Sequence, residues 1–140
     1  MSLYSKKVLK NFTNPKNLGV IKNPDGQAMV GNPVCGDVMK MYLRIEQRAK
    51  SKGKKTSAKG QKEEYIKDIK FQTLGCAAAI ATSSITTQMV KGKSLNQAAK
   101  ITNQQIAKAL GGLPTEKVHC SLLAVQALKK AIENYRQKQK

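Results

Sequence analysis

The chain has 140 residues, 40% of them hydrophobic, and its 26 lysines and arginines outnumber its 8 acidic residues to give a formal net charge of +18. This length predicts one domain over residues 1–140, and the apolar content excludes a disordered tail. No apolar run reaches the ~18 residues that a membrane span needs, and the N-terminus lacks a signal-peptide pattern. We therefore expect a soluble cytoplasmic protein without membrane contact.

The first half of the chain predicts a short amphipathic helix within the first dozen residues, followed by three strands. Apolar and polar side chains alternate over residues 38–46 and 65–73, which is the period of half-buried strands, and the run QAMVG at 27–31 is also strand-like. In the middle strand the residues expected on one face are Met39, Met41, Leu43 and Ile45.

A basic segment joins the second and third predicted strands. Residues 47–62 contain seven lysine or arginine side chains and no acidic one. Their Gly, Ser, Ala and Lys content buries too little apolar surface to order the backbone, so we expect a flexible insertion in a β-hairpin.

The second half predicts helices. Residues 76–91 and 121–137 have helical apolar periodicity, and Gly92 is placed to end the first of these helices. Its apolar stripe is expected to comprise Ile80, Ile85, Met89 and the alanines at 77–79 and 81. Two capping boxes predict short helices between them: Ser94 with Gln97, and Thr102 with Gln105. Strands followed by helices predict an α+β fold, a small three-stranded antiparallel sheet with helices packed on one face.

The three cysteines all fall at predicted element boundaries. Cys35 lies in a turn before a strand, whereas Cys76 and Cys120 lie at helix starts, where the helix dipole favours the thiolate. Three thiolates with Asp37 or His119 would suit a soft metal centre. The cysteines are 41 and 44 residues apart, and no C-x-x-C pair occurs, so spacing alone does not define a metal site.

Each candidate also has an ordinary structural interpretation. A cysteine in a cytosolic domain is often only a small buried hydrophobe. The single histidine, His119, could be a surface or core residue, Asp37 a turn residue, and Lys117 a solvated cation.

Five segments, in chain order, resemble the IscU/NifU family of iron-sulfur cluster assembly scaffolds, with its IscU/SufE-like fold. They are YSKKVLKNFTNPKNLG (4–19), NPVCGDVMK (32–40), TLGCAAAIATSS (73–84), VKGKSLNQAAKI (90–101) and GGLPTEKVHCSLLA (111–124). The resemblance covers nearly the whole chain except a basic stretch at about 46–65. His119 and the short gap between the second and third cysteines favour the IscU/NifU N-terminal branch over SufU-like proteins.

The resemblance implies a scaffold without independent turnover. A cysteine desulfurase would deliver sulfur, iron would be added, and a transient 2Fe-2S cluster would pass to apo iron-sulfur acceptor proteins. The implied cluster ligands are Cys35, Asp37, Cys76 and Cys120, with His119 as a further metal ligand, and the same residues imply zinc in the isolated protein. Cys120 is the implied persulfide acceptor, and Lys117 occupies the family's basic position before it.

Further implied partners are an iron donor or frataxin-like protein and Hsp70/J chaperones, although LPTEK stands where the IscU branch has Leu-Pro-Pro-Val-Lys. Residues 48–62 are expected to add weak contacts to anionic partners. Two alternatives stay open: a structural zinc protein, and a basic nucleic-acid-binding protein, although residues 47–62 contain no aromatic side chain for base stacking.

Overall fold

The computed structural model describes residues 5–32, 37–49, 62–75, 77–113 and 118–138, and of residues 32, 37 and 118–120 it describes only the backbone. The elements in chain order are α1 (Lys6–Thr13), β1 (Gly26–Asn32), β2 (Asp37–Ala49), β3 (Lys62–Leu74), α2 (Ala77–Val90), α3 (Leu95–Ala98), α4 (Asn103–Ala109) and α5 (Val118–Lys138). Every predicted helix and strand is present. The last helix begins three residues earlier than the predicted start at Ser121.

The strands form one antiparallel sheet in the order β1-β2-β3, which confirms the predicted topology. β2 and β3 are longer than predicted, because residues 46–49 pair with residues 62–65 and Arg48 Nε contacts Glu63 Oε2 at 2.8 Å. The two ends of the predicted 47–62 insertion are therefore strand. Its residues 50–61, and with them its predicted flexibility, lie outside the described residues.

The core lies on one face of the sheet, as the alternation predicts. Met39, Met41 and Leu43 are fully buried, and so is Phe71 on β3. α5 packs on β1 and β2, and α2 packs on β3, so these two helices cover that face. Burial of such apolar side chains supplies most of the stabilising free energy of a domain of this size.

The predicted apolar stripe of α2 is only partly correct. Ile80, Ile85 and Met89 are half-buried, whereas the buried positions include a run of hydroxyl side chains. The difference arises because α2 is enclosed by β3, α5 and α1, and its hydroxyls are satisfied locally. Thr86 Oγ1, for example, donates to the carbonyl of Thr82 at 2.6 Å. A serine or threonine that donates to its own helix can be buried without an unpaired polar group.

Side-chain hydrogen bonds help to attach α1 and the residues after it to α2. Asn11 Oδ1 accepts from Ser84 Oγ at 2.7 Å and from Gln88 Nε2 at 2.8 Å. Asn17, after the helix, donates from Nδ2 to Thr87 Oγ1 at 2.9 Å. Val8 of α1 is fully buried in the core and Phe12 remains 39% exposed, so the attachment combines apolar and polar contacts.

Both predicted capping boxes are present, in α3 and α4. Gly92 ends the turn after α2 with a φ of +86°, in the left-handed region that glycine adopts without strain. Its N–H donates to the carbonyl of Ile66 at 2.8 Å, which ties the end of α2 to β3.

Candidate metal and cluster site

The candidate ligands lie at three junctions between elements. Cys35 is one of residues 33–36, which separate the paired residues Asn32 and Asp37 in the chain, and Cys76 directly precedes α2. Both cysteines lie outside the described residues, as does Lys117, which directly precedes α5.

The remaining candidates lie within elements. Asp37 is the first residue of β2, and His119 and Cys120 are the second and third residues of α5. For these three residues the structure describes the backbone and not the side chain.

Strand pairing places two of the three junctions at one end of the sheet. Val38 is paired with Gly31 on one side and with Leu74 on the other. The end of β1, the start of β2 and the end of β3 therefore coincide. We call this end of the sheet the ligand end.

α2 begins at the ligand end and runs away from it. Ser83 Oγ lies 3.0 Å from Sδ of Met39, near the start of β2, whereas Gly92 is hydrogen-bonded to Ile66, farther toward the other end of β3. The N-terminal turn of α2, which follows Cys76, accordingly faces the same region as Leu74.

α5 brings its first turn to the ligand end as well. Near its C-terminus, Asn134 Oδ1 accepts a hydrogen bond from the backbone N–H of Gln27 at 3.1 Å, at the start of β1. β1 continues from Gln27 to Asn32 over ~16 Å, and α5 extends back from Asn134 to Val118 over ~24 Å. Because α5 packs against β1 more extensively than against any other element, it follows the strand toward the ligand end.

The backbone thus brings the surroundings of all the predicted ligands to one end of one sheet, although they are far apart in sequence. Two helices, α2 and α5, have their N-termini there, and free N–H groups at a helix N-terminus favour a thiolate over a thiol. Within the described side chains there is no group of three or more His, Cys, Asp or Glu that could hold a metal ion. The ligand set predicted from the sequence is therefore not tested by side-chain geometry, and it stays a prediction.

An exposed apolar patch adjoins the ligand end on the sheet face opposite the core. Leu74 is 75% exposed and Met29 is 65% exposed, and Val38 lies between them on β2. Together with Lys40 and Gln72 these residues line a groove of about 330 Å³. We call Met29, Val38 and Leu74 the outer patch.

The outer patch is not among the features predicted from the sequence. The signal was present in the period-two alternation, because Met29 and Leu74 occupy outward positions where polar residues are expected. Contiguous exposed apolar side chains mark interaction sites more often than isolated ones do.

Tyr135, whose pKa is clearly shifted, lies at the end of the sheet opposite the ligand end. Burial raises the pKa of Tyr135 to about 12, helped by a hydrogen bond from its hydroxyl to Glu64 and by the charges of Glu64 and Asp25. This pair fastens the C-terminal part of α5 to β3 and is remote from the predicted ligands.

A family model described as "NifU-like N terminal domain" matches residues 3–140. The chain belongs to this family. The match extends over the strands and helices that converge on the ligand end, and it confirms the family expected from the sequence.

Named relatives agree with this membership. The "Iron-sulfur cluster assembly scaffold protein IscU 1" of Archaeoglobus fulgidus is 50% identical over 133 residues, covering 95% of this chain and 76% of its own length. The "Iron-sulfur cluster assembly scaffold protein IscU" of Haemophilus influenzae is 44% identical over 139 residues, covering 97% of this chain and 98% of its own length.

Solved structures share the fold. The N-terminal part of a NifU-like protein from Brucella abortus superposes with a TM-score of 0.66 at 21% identity, covering 97% of this chain and 96% of that one. A scaffold protein for the SUF system from Fervidobacterium islandicum superposes with the same TM-score at 21% identity, with coverages of 93% and 96%. In the parts of the chain that the structure describes, no helix is both long and apolar enough to cross a membrane.

Proposed function

We propose that the chain is a scaffold on which an iron-sulfur cluster is assembled and from which the cluster is passed to acceptor proteins. The observation that carries this proposal is that the strand and helix ends flanking the predicted ligands Cys35, Asp37, Cys76 and Cys120 converge at the ligand end. Membership of a family whose named relatives are cluster assembly scaffolds supports it.

The predicted ligand types fit a transient 2Fe-2S cluster as cargo. Thiolates of Cys35, Cys76 and Cys120 match the preference of iron-sulfur clusters for soft sulfur ligands. A carboxylate is a harder ligand that iron releases more easily, so Asp37 suits a cluster that must leave. His119 is a further candidate ligand, and the same set would hold zinc tetrahedrally in the isolated protein.

Sulfur delivery is assigned to Cys120. Its thiolate would attack the outer sulfur of a persulfide on a cysteine desulfurase, forming a new S–S bond as the donor cysteine leaves as a thiolate. This transfer involves no net oxidation, and the later conversion of the bound sulfur to sulfide takes two electrons from an external reductant. The first turn of α5 and the charge of Lys117 would both stabilise the attacking thiolate.

The outer patch is proposed as the surface on which the sulfur donor docks. It adjoins the ligand end, and an apolar surface of this kind can hold a partner while a thiol exchange takes place beside it. An iron donor or frataxin-like protein, Hsp70/J chaperones and apo acceptor proteins complete the proposed partners. The chain would have no turnover of its own, and its cytoplasmic location stays a prediction.

The alternatives receive less support. Both relatives described above are named as scaffolds, which favours neither a structural zinc protein nor a nucleic-acid-binding protein on this fold. A structural zinc would also be expected to resist chelation, since such a metal supplies folding free energy.

Anaerobic reconstitution tests the proposal. The chain is incubated with iron, cysteine and a cysteine desulfurase, and visible absorption, bound iron and bound sulfide are measured for the unchanged protein and for C35A, C76A and C120A. Lys10→Ala, an exposed change on α1, serves as the control. We expect a labile cluster that moves to an apo-ferredoxin and is lost in each cysteine variant but not in the control.

One outcome would contradict the scaffold function, and another would contradict the proposed ligands. One zinc ion held firmly, with no sulfide bound, would favour the structural zinc protein. A cluster that forms equally well in all three cysteine variants would refute the proposed ligands, while leaving the family membership unchanged.

A further inference from the structure

A second surface groove, remote from the outer patch, lies where the end of α2 meets α3 and α4. It has a volume of about 290 Å³, and its floor is apolar, with Met89 half-buried and with Ala98 and Ile101 buried. We call it the α3 groove. It opens to solvent along one side rather than enclosing a cavity.

The polar side chains around the α3 groove are all hydrogen-bond donors. Lys93 and Lys100 are exposed at its rim, and neither forms an ion pair with any acidic side chain that the structure describes. Among the residues that the structure describes, no acidic one lines the groove. Two ammonium groups beside an apolar floor therefore give this groove an unbalanced positive charge.

The capping boxes add two further donors. Gln97 Oε1 accepts from the N–H of Ser94 at 3.3 Å, and Gln105 Oε1 accepts from the N–H of Thr102 at 2.9 Å. Because the oxygen of each amide is occupied in this way, its NH₂ group is directed elsewhere, and neither NH₂ group has a partner within the described ranges.

The walls of the groove are firmly placed. The carbonyl of Lys93 accepts from the N–H of Ile66 at 3.0 Å, and the N–H of Ile101 donates to the carbonyl of Ala98 at 3.3 Å. Ala98 is 1% exposed, so α3 is anchored in the core below the groove. Because the groove is preformed, little conformational entropy is lost in ordering its walls when a partner binds.

We propose that the α3 groove binds an acidic segment of a partner protein, with one apolar side chain on the floor and flanking carboxylates at Lys93 and Lys100. Charge complementarity favours this occupant, since the groove offers donors and cations but no acidic side chain. A free small molecule fits less well. Its pockets usually measure ~300–1,000 Å³ and bury most of the ligand, whereas this groove is small and open.

The proposal does not depend on cluster assembly, because the α3 groove shares no lining residue with the outer patch or the predicted ligands. Its probe is a fluorescein-labelled peptide, Glu-Glu-Leu-Phe-Glu-Glu, whose binding is followed by fluorescence anisotropy and by backbone amide shifts in NMR. We expect shifts centred on Met89, Gln97 and Ile101. A peptide with serines in place of Leu-Phe should bind at least about tenfold more weakly, because it lacks the apolar anchor.

The matched variants are Lys93→Glu with Lys100→Glu, and Lys129→Glu with Lys130→Glu. Both pairs reverse the side-chain charge at two exposed lysines and so change the net charge equally. The second pair lies on α5 and outside the groove. We expect the first pair of substitutions to weaken binding of the peptide at least about tenfold. The second pair should change the affinity for the peptide by less than about threefold.

Three results would overturn the proposal. Equal weakening by both pairs would mean general attraction to a basic protein, and equal binding of the serine peptide would mean that the apolar floor contributes nothing. A ten-nucleotide poly-uridine RNA that binds more tightly than the peptide, with the same shifted residues, would make the groove a nucleic-acid site. The two peptide results remain informative even if a lysine variant fails to fold.

Discussion

Asn134 on α5 accepts a hydrogen bond from the backbone N–H of Gln27, the second residue of β1, at 3.1 Å. This contact sets the position of α5 along β1. It lies at the end of the sheet farthest from the predicted ligands. The location of Cys120 relative to the sheet is therefore determined about four helical turns away from it.

The same junction should tolerate no added side chain at Gly26. A Cβ on Gly26 would overlap the carbonyl oxygen of Ala131 and lie 3.0 Å from Cβ of Tyr135, so the helix would have to move away from the strand. We expect Gly26→Ala to lower the free energy of unfolding by about 1–3 kcal/mol in urea denaturation. Gln27→Ala, which keeps the backbone N–H that Asn134 binds, is the control and should change stability by less than about 0.5 kcal/mol.

The attachment of α1 should depend on Asn11. Asn11→Ala removes the acceptor of Ser84 Oγ and Gln88 Nε2 and leaves the buried Ser84 hydroxyl without that acceptor, which costs about 1–3 kcal/mol. Hydrogen exchange should show α1 opening more often than in the unchanged protein. Lys10→Ala, on the exposed side of the same helix, should leave exchange nearly unchanged, and equal effects of both changes would refute a polar attachment.

Stability should fall at high pH through Tyr135. Burial, the hydrogen bond to Glu64 and nearby negative charge raise its pKa from 10.0 to about 12, so the folded state holds this proton more tightly than the unfolded state. The resulting stabilisation is fully present below pH 10 and is lost as the pH rises from 10 toward 12. Tyr135→Phe should flatten this part of the stability profile in denaturant titrations.

The control for that experiment is Tyr42→Phe. The Tyr42 hydroxyl donates to Gln72 Oε1 at 2.7 Å, a neutral partner on the outer face of the sheet. Its removal should lower stability by about 1 kcal/mol and should leave the loss of stability between pH 10 and pH 12 in place. If Tyr135→Phe behaved in the same way, the interaction with Glu64 would not be the source of the pH dependence.

Docking of a sulfur donor should depend on the outer patch. Replacing Met29 and Leu74 with serine removes two exposed apolar side chains without opening the core, so the fold should persist. We expect binding of a cysteine desulfurase to weaken by at least about tenfold, measured by titration calorimetry. Replacing Leu18 and Val20, which are 54% and 56% exposed beside β3, is the control and should leave this affinity within about threefold.

Asp37 should control how readily the cargo leaves. If the carboxylate is the hardest ligand of the predicted set, Asp37→Ala should slow cluster transfer to an apo-ferredoxin several-fold while assembly continues. Transfer at an unchanged rate would mean that another residue, such as His119, completes the ligand set.

The sheet and the capped helices were predictable because their signals are local. Alternation over 38–46 identified the buried face of β2, and the pairs Ser94/Gln97 and Thr102/Gln105 identified two helix starts. The burial of hydroxyls in α2 was not predictable in this way, because it depends on which neighbours enclose the helix.

For the candidate site, residue type and boundary position predicted the ligands, but nothing local showed that their junctions meet. That convergence depends on the pairing of Val38 with Leu74 and on the hydrogen bond between Gln27 and Asn134, which sets the direction of α5. Each of these contacts joins residues that are distant in the chain. The outer patch was missed for a similar reason, since exposure of Met29 depends on which face the helices cover.

The pairing of β2 with β3 shifts register between Arg44 and Ile45, and the extra residue on β3 lets both Ile66 and Ile69 face the core. A bulge of this kind divides the hairpin into two separately aligned stretches. Lengthening the chain between Ala49 and Lys62 costs only ~0.6 kcal/mol for each doubling of its length. The connection beyond the far stretch can thus accept inserted residues over evolutionary time while Val38 and Leu74, beside the predicted ligands, keep their partners.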